Sequence, residues 1–170
     1  MRLSLVVMLA LAAGGCDAKQ RMLDAVVRQS GQLPCFSVPT ESLRDKDELT
    51  VAGIQVSELD EREQVRGTTW TGDFTLSEPP TLLSPETCIP YGTLESGRTV
   101  GPLIPIEPGR HYTVFINAHV RRGEEWQNRS YSGYFCVAKD AMQRHLVREV
   151  QWDKALGRRR WDGCGQVSLP

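Results

Sequence analysis

Five cysteines, three histidines and a scatter of carboxylates are the side chains of this 170-residue chain suited to covalent, metal or acid–base chemistry. Their spacing decides which of these is credible. His111 and His119 share one face of the alternating stretch "HYTVFINAHV", but eight residues put them about 27 Å apart along an extended strand, too far to hold one metal. No two of Cys35, Cys88, Cys136 and Cys164 lie within zinc-ligand spacing. Glu86 and Glu95 flank "CIPYG", and a pair at that spacing reads as surface, not as a glycosidase dyad. G-x-S-x-G, H-E-x-x-H and P-loop patterns do not occur. The expectation is a protein that is not an enzyme and needs no cofactor and no metal.

The fifth cysteine, Cys16, has a different setting. It follows "MRLSLVVMLALAAGG", one Arg, an apolar run from Leu3 to Ala13, and small residues. This is the layout of a secretory signal peptide. The apolar run is shorter than the roughly 20 residues a membrane span needs. Small residues directly before a Cys resemble the lipobox of bacterial lipoproteins, in which the thiol is acylated and cleavage leaves the Cys first. Residues 1–15 are therefore expected to be a lipoprotein signal peptide, 16–23 a short tether and 24–170 one domain. Asp17 favours retention at the inner membrane, and the expected location is the periplasm with the lipid on Cys16 in a membrane.

In an oxidising compartment the four remaining cysteines read as two disulfides. Four cysteines allow three connectivities, and spacing does not choose among them. The preferred set is Cys35–Cys88 with Cys136–Cys164, each closing a loop whose constraint stabilises by about 3–4 kcal/mol. A net charge of -1 excludes a general nucleic-acid binder. Charge is nonetheless uneven. Residues 41–63 are acidic, while 144–162 are basic and contain the run Arg158-Arg159-Arg160, which reads as a solvated face.

Around these side chains the pattern is strand and turn. Residues 24–38 read as a hairpin about Ser30-Gly31. "ELTVAGIQVSE" is strand-like with a phase change near Gly53, as a bulge causes. "TTWTGDFTL" puts Trp70, Gly72, Phe74 and Leu76 on one face. The Pro-rich stretch 77–109 predicts loops with short edge pieces. "HYTVFINAHV" places Tyr112, Val114, Ile116, Ala118 and Val120 inward. "RRGEEWQNRS" at 121–130 reads as a charged, accessible loop with Trp126 at its centre, before the strand "SYSGYFCVA". In 140–162 either a helix with Met142, Leu146 and Val150 aligned or a hairpin is compatible. The hairpin is favoured, with Trp152 and Trp161 on neighbouring strands. The expected fold class is all-β, an antiparallel, immunoglobulin-like β-sandwich braced by disulfides.

Several stretches in order, "PCFSV" at 34–38, "LTVAGIQVSE" at 49–58, "LSPETCIPYG" at 82–91, "PGRHYTVFINAH" at 108–119 and "YSGYFCV" at 131–137, resemble a family of small periplasmic lipoproteins regarded as type VI secretion immunity proteins. The resemblance implies a lipid-anchored all-β protein that binds and neutralises a toxic effector delivered into the periplasm. It carries no binding residues, because immunity partners differ from member to member, and the C-terminal extension with Cys164 fits the pattern less clearly. From the residues themselves, Tyr91 in the Pro-rich loop and Arg121, Arg122 and Trp126 are the expected partner contacts. The alternative is a structural or assembly lipoprotein of the envelope that acts through an exposed sheet edge.

Overall fold

The computed structural model describes residues 22–44, 46–93 and 97–165. Cys16 and Asp17, and with them the expected signal peptide and lipidation site, lie outside the described residues. The chain forms β1 (Leu23–Asp24), β2 (Val26–Ser30), β3 (Leu33–Ser37), β4 (Glu48–Leu59), β5 (Val65–Asp73) and β6 (Ile89–Pro90). It continues with β7 (Arg98–Thr99), β8 (His111–Arg122), β9 (Glu125–Lys139), β10 (His145–Glu149), β11 (Trp152–Asp153) and β12 (Arg158–Arg159). One 3-10 turn at Thr40–Ser42 is the helical element among the described residues.

The main sheet has the order β1-β9-β8-β4-β5-β7, with β10 on the same edge of β9 as β1. Its centre is built by β8, whose inward residues Tyr112, Val114, Ile116, Ala118 and Val120 are all buried, as alternation requires. The register of β4 against β8 shifts between Val51 and Gly53, so the phase change in the sequence is a bulge. All pairings in the sheet are antiparallel except β1 with β9, where Leu23 faces Tyr131 and Asp24 faces Ser132 in parallel. Leu23, expected in the tether, is thus already a strand residue.

A second sheet, β2-β3-β6, lies over the inner face of the first. Phe36 from β3 reaches Trp70 at 6.4 Å and Phe135 at 5.5 Å between ring centroids, so one apolar core joins the two sheets. Gly133 permits the approach: a Cβ there would stand 3.1 Å from the Ala25 carbonyl oxygen and 3.2 Å from Val27. Two disulfides complete the frame, Cys35–Cys88 and Cys136–Cys164, each with Cα atoms 5.5 Å apart. They tie β3 to the Pro-rich segment and β9 to the C-terminal residues.

Three local expectations need correction. Leu76 does not continue the inward face of β5, which ends at Asp73. The Asp73 carboxylate accepts from the Thr75 backbone and hydroxyl and turns the chain, leaving Leu76 77% exposed. The C-terminal hairpin forms from fewer residues than the pattern indicates, because β10 is taken up by the edge of β9 and only Trp152–Asp153 and Arg158–Arg159 pair. Trp152 therefore faces Arg159 and not Trp161. Residues 121–130 are not a loop: β8 and β9 run through them to a two-residue turn, where Gly123 takes a positive φ of 63°.

Candidate partner-binding surfaces

The outer face of the main sheet is covered over only part of its length. Residues opposite one another in the β8–β9–β4 ladder share a face, so Trp126, Arg121 and Glu48 form one outward row and Asn128, His119 and Thr50 the next. His119 Nδ1 and Asn128 Oδ1 are 2.8 Å apart, and the Ser130 hydroxyl lies 3.1 Å from Asn117 Oδ1. Among the described residues nothing covers this half, and Trp126 is 58% exposed.

The other half is covered by the C-terminal residues. Trp161 stacks on His111 with centroids 4.0 Å apart, and its indole N–H donates to Glu63. Arg159 donates to the other oxygen of Glu63, and its guanidinium lies 3.3 Å above the centre of the Tyr134 ring and 5.4 Å from that of Trp152. Glu63, in a turn with a φ of 59°, thus fastens two residues almost a hundred positions away. Cys136–Cys164 pins the same segment, with Val150 and Cys164 buried beside Tyr134 and Trp161. Beside the hairpin runs a groove of about 340 Å³ lined by Asp24, Tyr134, Glu149, Trp152, Lys154 and Arg159. Trp152 and Leu156 are each 54% exposed on it and on the adjoining turn. The basic run is accordingly not one solvated face, since Arg159 is a packed and paired residue.

Burial under Trp161 holds the His111 imidazole below its ordinary value of 6.5, against the opposing pull of Glu63 and Glu61. The folded state therefore favours the neutral ring. Its contribution is complete above 6.5 and declines as pH falls below it. NMR titration of His111 is expected to give a midpoint below 6.5, and a midpoint at or above that value would remove the stack as described.

The four expected contact residues separate. Tyr91 is only 4% exposed: its ring meets Trp70 edge-on at 5.3 Å, and its hydroxyl donates to backbone carbonyls, with Thr69 and Ile104 as the acceptors in reach. This corrects its placing as a loop contact, because both its apolar and its polar parts are used inside the fold. Arg121 and Trp126 face each other on the outer side of the hairpin end, whereas Arg122 lies on the opposite face. Arg121 pairs with Glu48 at 3.4 Å and Arg122 with Asp47 at 2.9 Å. The Arg122 hydrogen bond holds the Asp47 carboxyl down at about 2. Sequence reasoning misses Glu63, Tyr134 and Trp152 as a group. The unpaired Trp and Arg residues of the C-terminal stretch are the available signal, but nothing local names their partners.

These features define an all-β protein of several sheets with two disulfides, consistent with a non-cytoplasmic compartment. Among the described residues no helix is long and apolar enough to cross a membrane. Comparison with protein-family models, with curated proteins and with solved structures finds no match.

Proposed function

We propose that this chain is a lipid-anchored periplasmic protein that acts by binding, in the role of an immunity protein against a toxic effector, and that its partner surface is the C-terminal hairpin. In this role the two packed sheets are an immunoglobulin-like sandwich that serves as an inert support. The observation that carries it is Trp152, half exposed on a segment held by a disulfide, by Glu63 and by the Arg159–Tyr134 stack. Trp, Tyr and Arg on a rigid support are the composition of an interface hot spot. Prior ordering lowers the entropy lost on docking. The hairpin also lies outside the stretches that carry the family resemblance, where a member-specific partner surface belongs.

The test is calorimetric titration of the mature chain against the product of the neighbouring gene. One-to-one binding that suppresses the neighbour's toxicity is expected. Trp152→Ala should weaken it by about 30-fold, the effect of losing one hot-spot side chain of about 2 kcal/mol. Absence of binding, or an unchanged affinity in Trp152→Ala, rejects the immunity role or the surface respectively.

A further inference from the structure

We infer that the β8–β9 hairpin end of the molecule rests on the membrane, with Trp126 in the headgroup region. The inference depends on Cys16 as the acylated residue and concerns a different surface from the partner site. Its first observation is the direction of β1. Leu23 and Asp24 pair in parallel with Tyr131 and Ser132, so β1, followed from Asp24 back to Leu23, points along β9 toward Trp126 and the Gly123 turn. Met22, the first described residue on that path, is 56% exposed.

The second observation is reach. Seven residue steps separate Cys16 from Leu23, a span of at most about 25 Å. From Tyr131, opposite Leu23, the hairpin extends seven residues to Glu124, about 24 Å at the rise of a strand. The tether length therefore keeps the lipid within about 25 Å of Leu23, and a bilayer at the hairpin turn lies within that reach.

The third observation is what that end presents. Trp126 is 58% exposed on the outermost row, and Leu82, bridged to Thr50 in the next row, is 62% exposed. Arg121 pairs with Glu48 and Arg122 with Asp47, and exposed Glu124 and Glu125 stand at the turn, so the end carries no basic excess. A Trp suits the interface because its ring is apolar and its N–H polar. The docking is therefore a lipid-interface contact of Trp126 and not attraction to anionic headgroups.

The experiment uses the lipidated chain, purified from membranes and placed in phosphatidylethanolamine–phosphatidylglycerol vesicles containing lipids brominated near the headgroup end of their chains. The wild type and Trp152→Phe should lose tryptophan emission to the bromine. Trp126→Phe should lose most of that quenching, and neither raised salt nor omission of phosphatidylglycerol should alter the pattern. Equal quenching in Trp126→Phe and wild type, on vesicle-bound protein whose Cys16 shows the acyl mass, overturns the placement while leaving the anchor intact. An unmodified Cys16 by mass spectrometry overturns the anchor and the placement with it.

Discussion

Replacing Cys35 and Cys88 together by alanine is expected to lower the unfolding free energy by about 4 kcal/mol, the chain-entropy value for the 53-residue separation this bridge closes. That is a large share of the roughly 5–15 kcal/mol by which domains are stable. The figure reflects loop closure in the unfolded chain, and in the fold the bridge anchors a segment with few ladder pairs. β6 joins β3 through only two register pairs, Cys35 with Pro90 and Phe36 with Ile89, and β7 joins β5 through two more. Prolines supply no ladder donors, and the bridge adds to single backbone bonds along the segment, such as Leu83 N–H to the Leu49 carbonyl, Tyr91 N–H to Pro34 and Ile104 N–H to Thr69. The urea midpoint of the double variant should fall, and reducing the wild type should shift it at least as far, because the second bridge opens too. A midpoint unmoved by both would mean that the segment is held by its hydrogen bonds and apolar contacts without need of the bridge. Those contacts are real: Tyr91 follows the bridge directly into the core beneath Trp70.

Phe36→Ala carries the next largest expected effect, a loss of about 3–5 kcal/mol, the range for truncating a buried aromatic. Phe36 is fully buried and is the point at which β3 touches both Trp70 of β5 and Phe135 of β9. Tyr112 in turn stacks on Phe135 at 5.3 Å, so the cavity would open in the middle of an aromatic layer. Large rings cannot close such a space by small shifts, which places the cost at the upper part of the range. Chemical denaturation reads the loss, and retention of near-wild-type stability would show that the layer repacks. Cys35 and Phe36 are adjacent on β3, so the combined variant should not be additive.

How far the molecule can be read from its sequence depends on the range over which each feature is decided. The inward set of β8 and the bulge at Gly53 follow from alternation, and the hairpin of β2 and β3 from apolar runs about a Gly turn, each within one short stretch. The preferred cysteine pairing is the one found, although spacing alone leaves three possible. Trp126 is visible as an aromatic in a charged setting. Its place on a continuous ladder, and not in a loop, comes from pairing of polar residues that have little strand signal of their own. Tyr91 is misread because a Pro-rich neighbourhood looks like surface, while its side chain fills a gap beside Trp70 that other segments create.

By itself, then, the sequence determined the strand class, the direction in which each alternating stretch presents its apolar side, and an even set of cysteines available for bridging. Those are properties of a period of two and of side-chain chemistry, and no distant residue is needed to settle them. Only the tertiary structure decided what covers the polar face of the main sheet. Glu63 meets Arg159 and Trp161, Tyr134 meets Arg159, and His111 meets Trp161, because β10 occupies the edge of β9 only to Glu149 and β1 holds it at Leu23–Asp24. The displaced chain passes over the outer face and closes with Cys164. Which half of that face is sealed and which is left to Trp126 is set by this competition for one strand edge, a long-range outcome that local pattern does not contain.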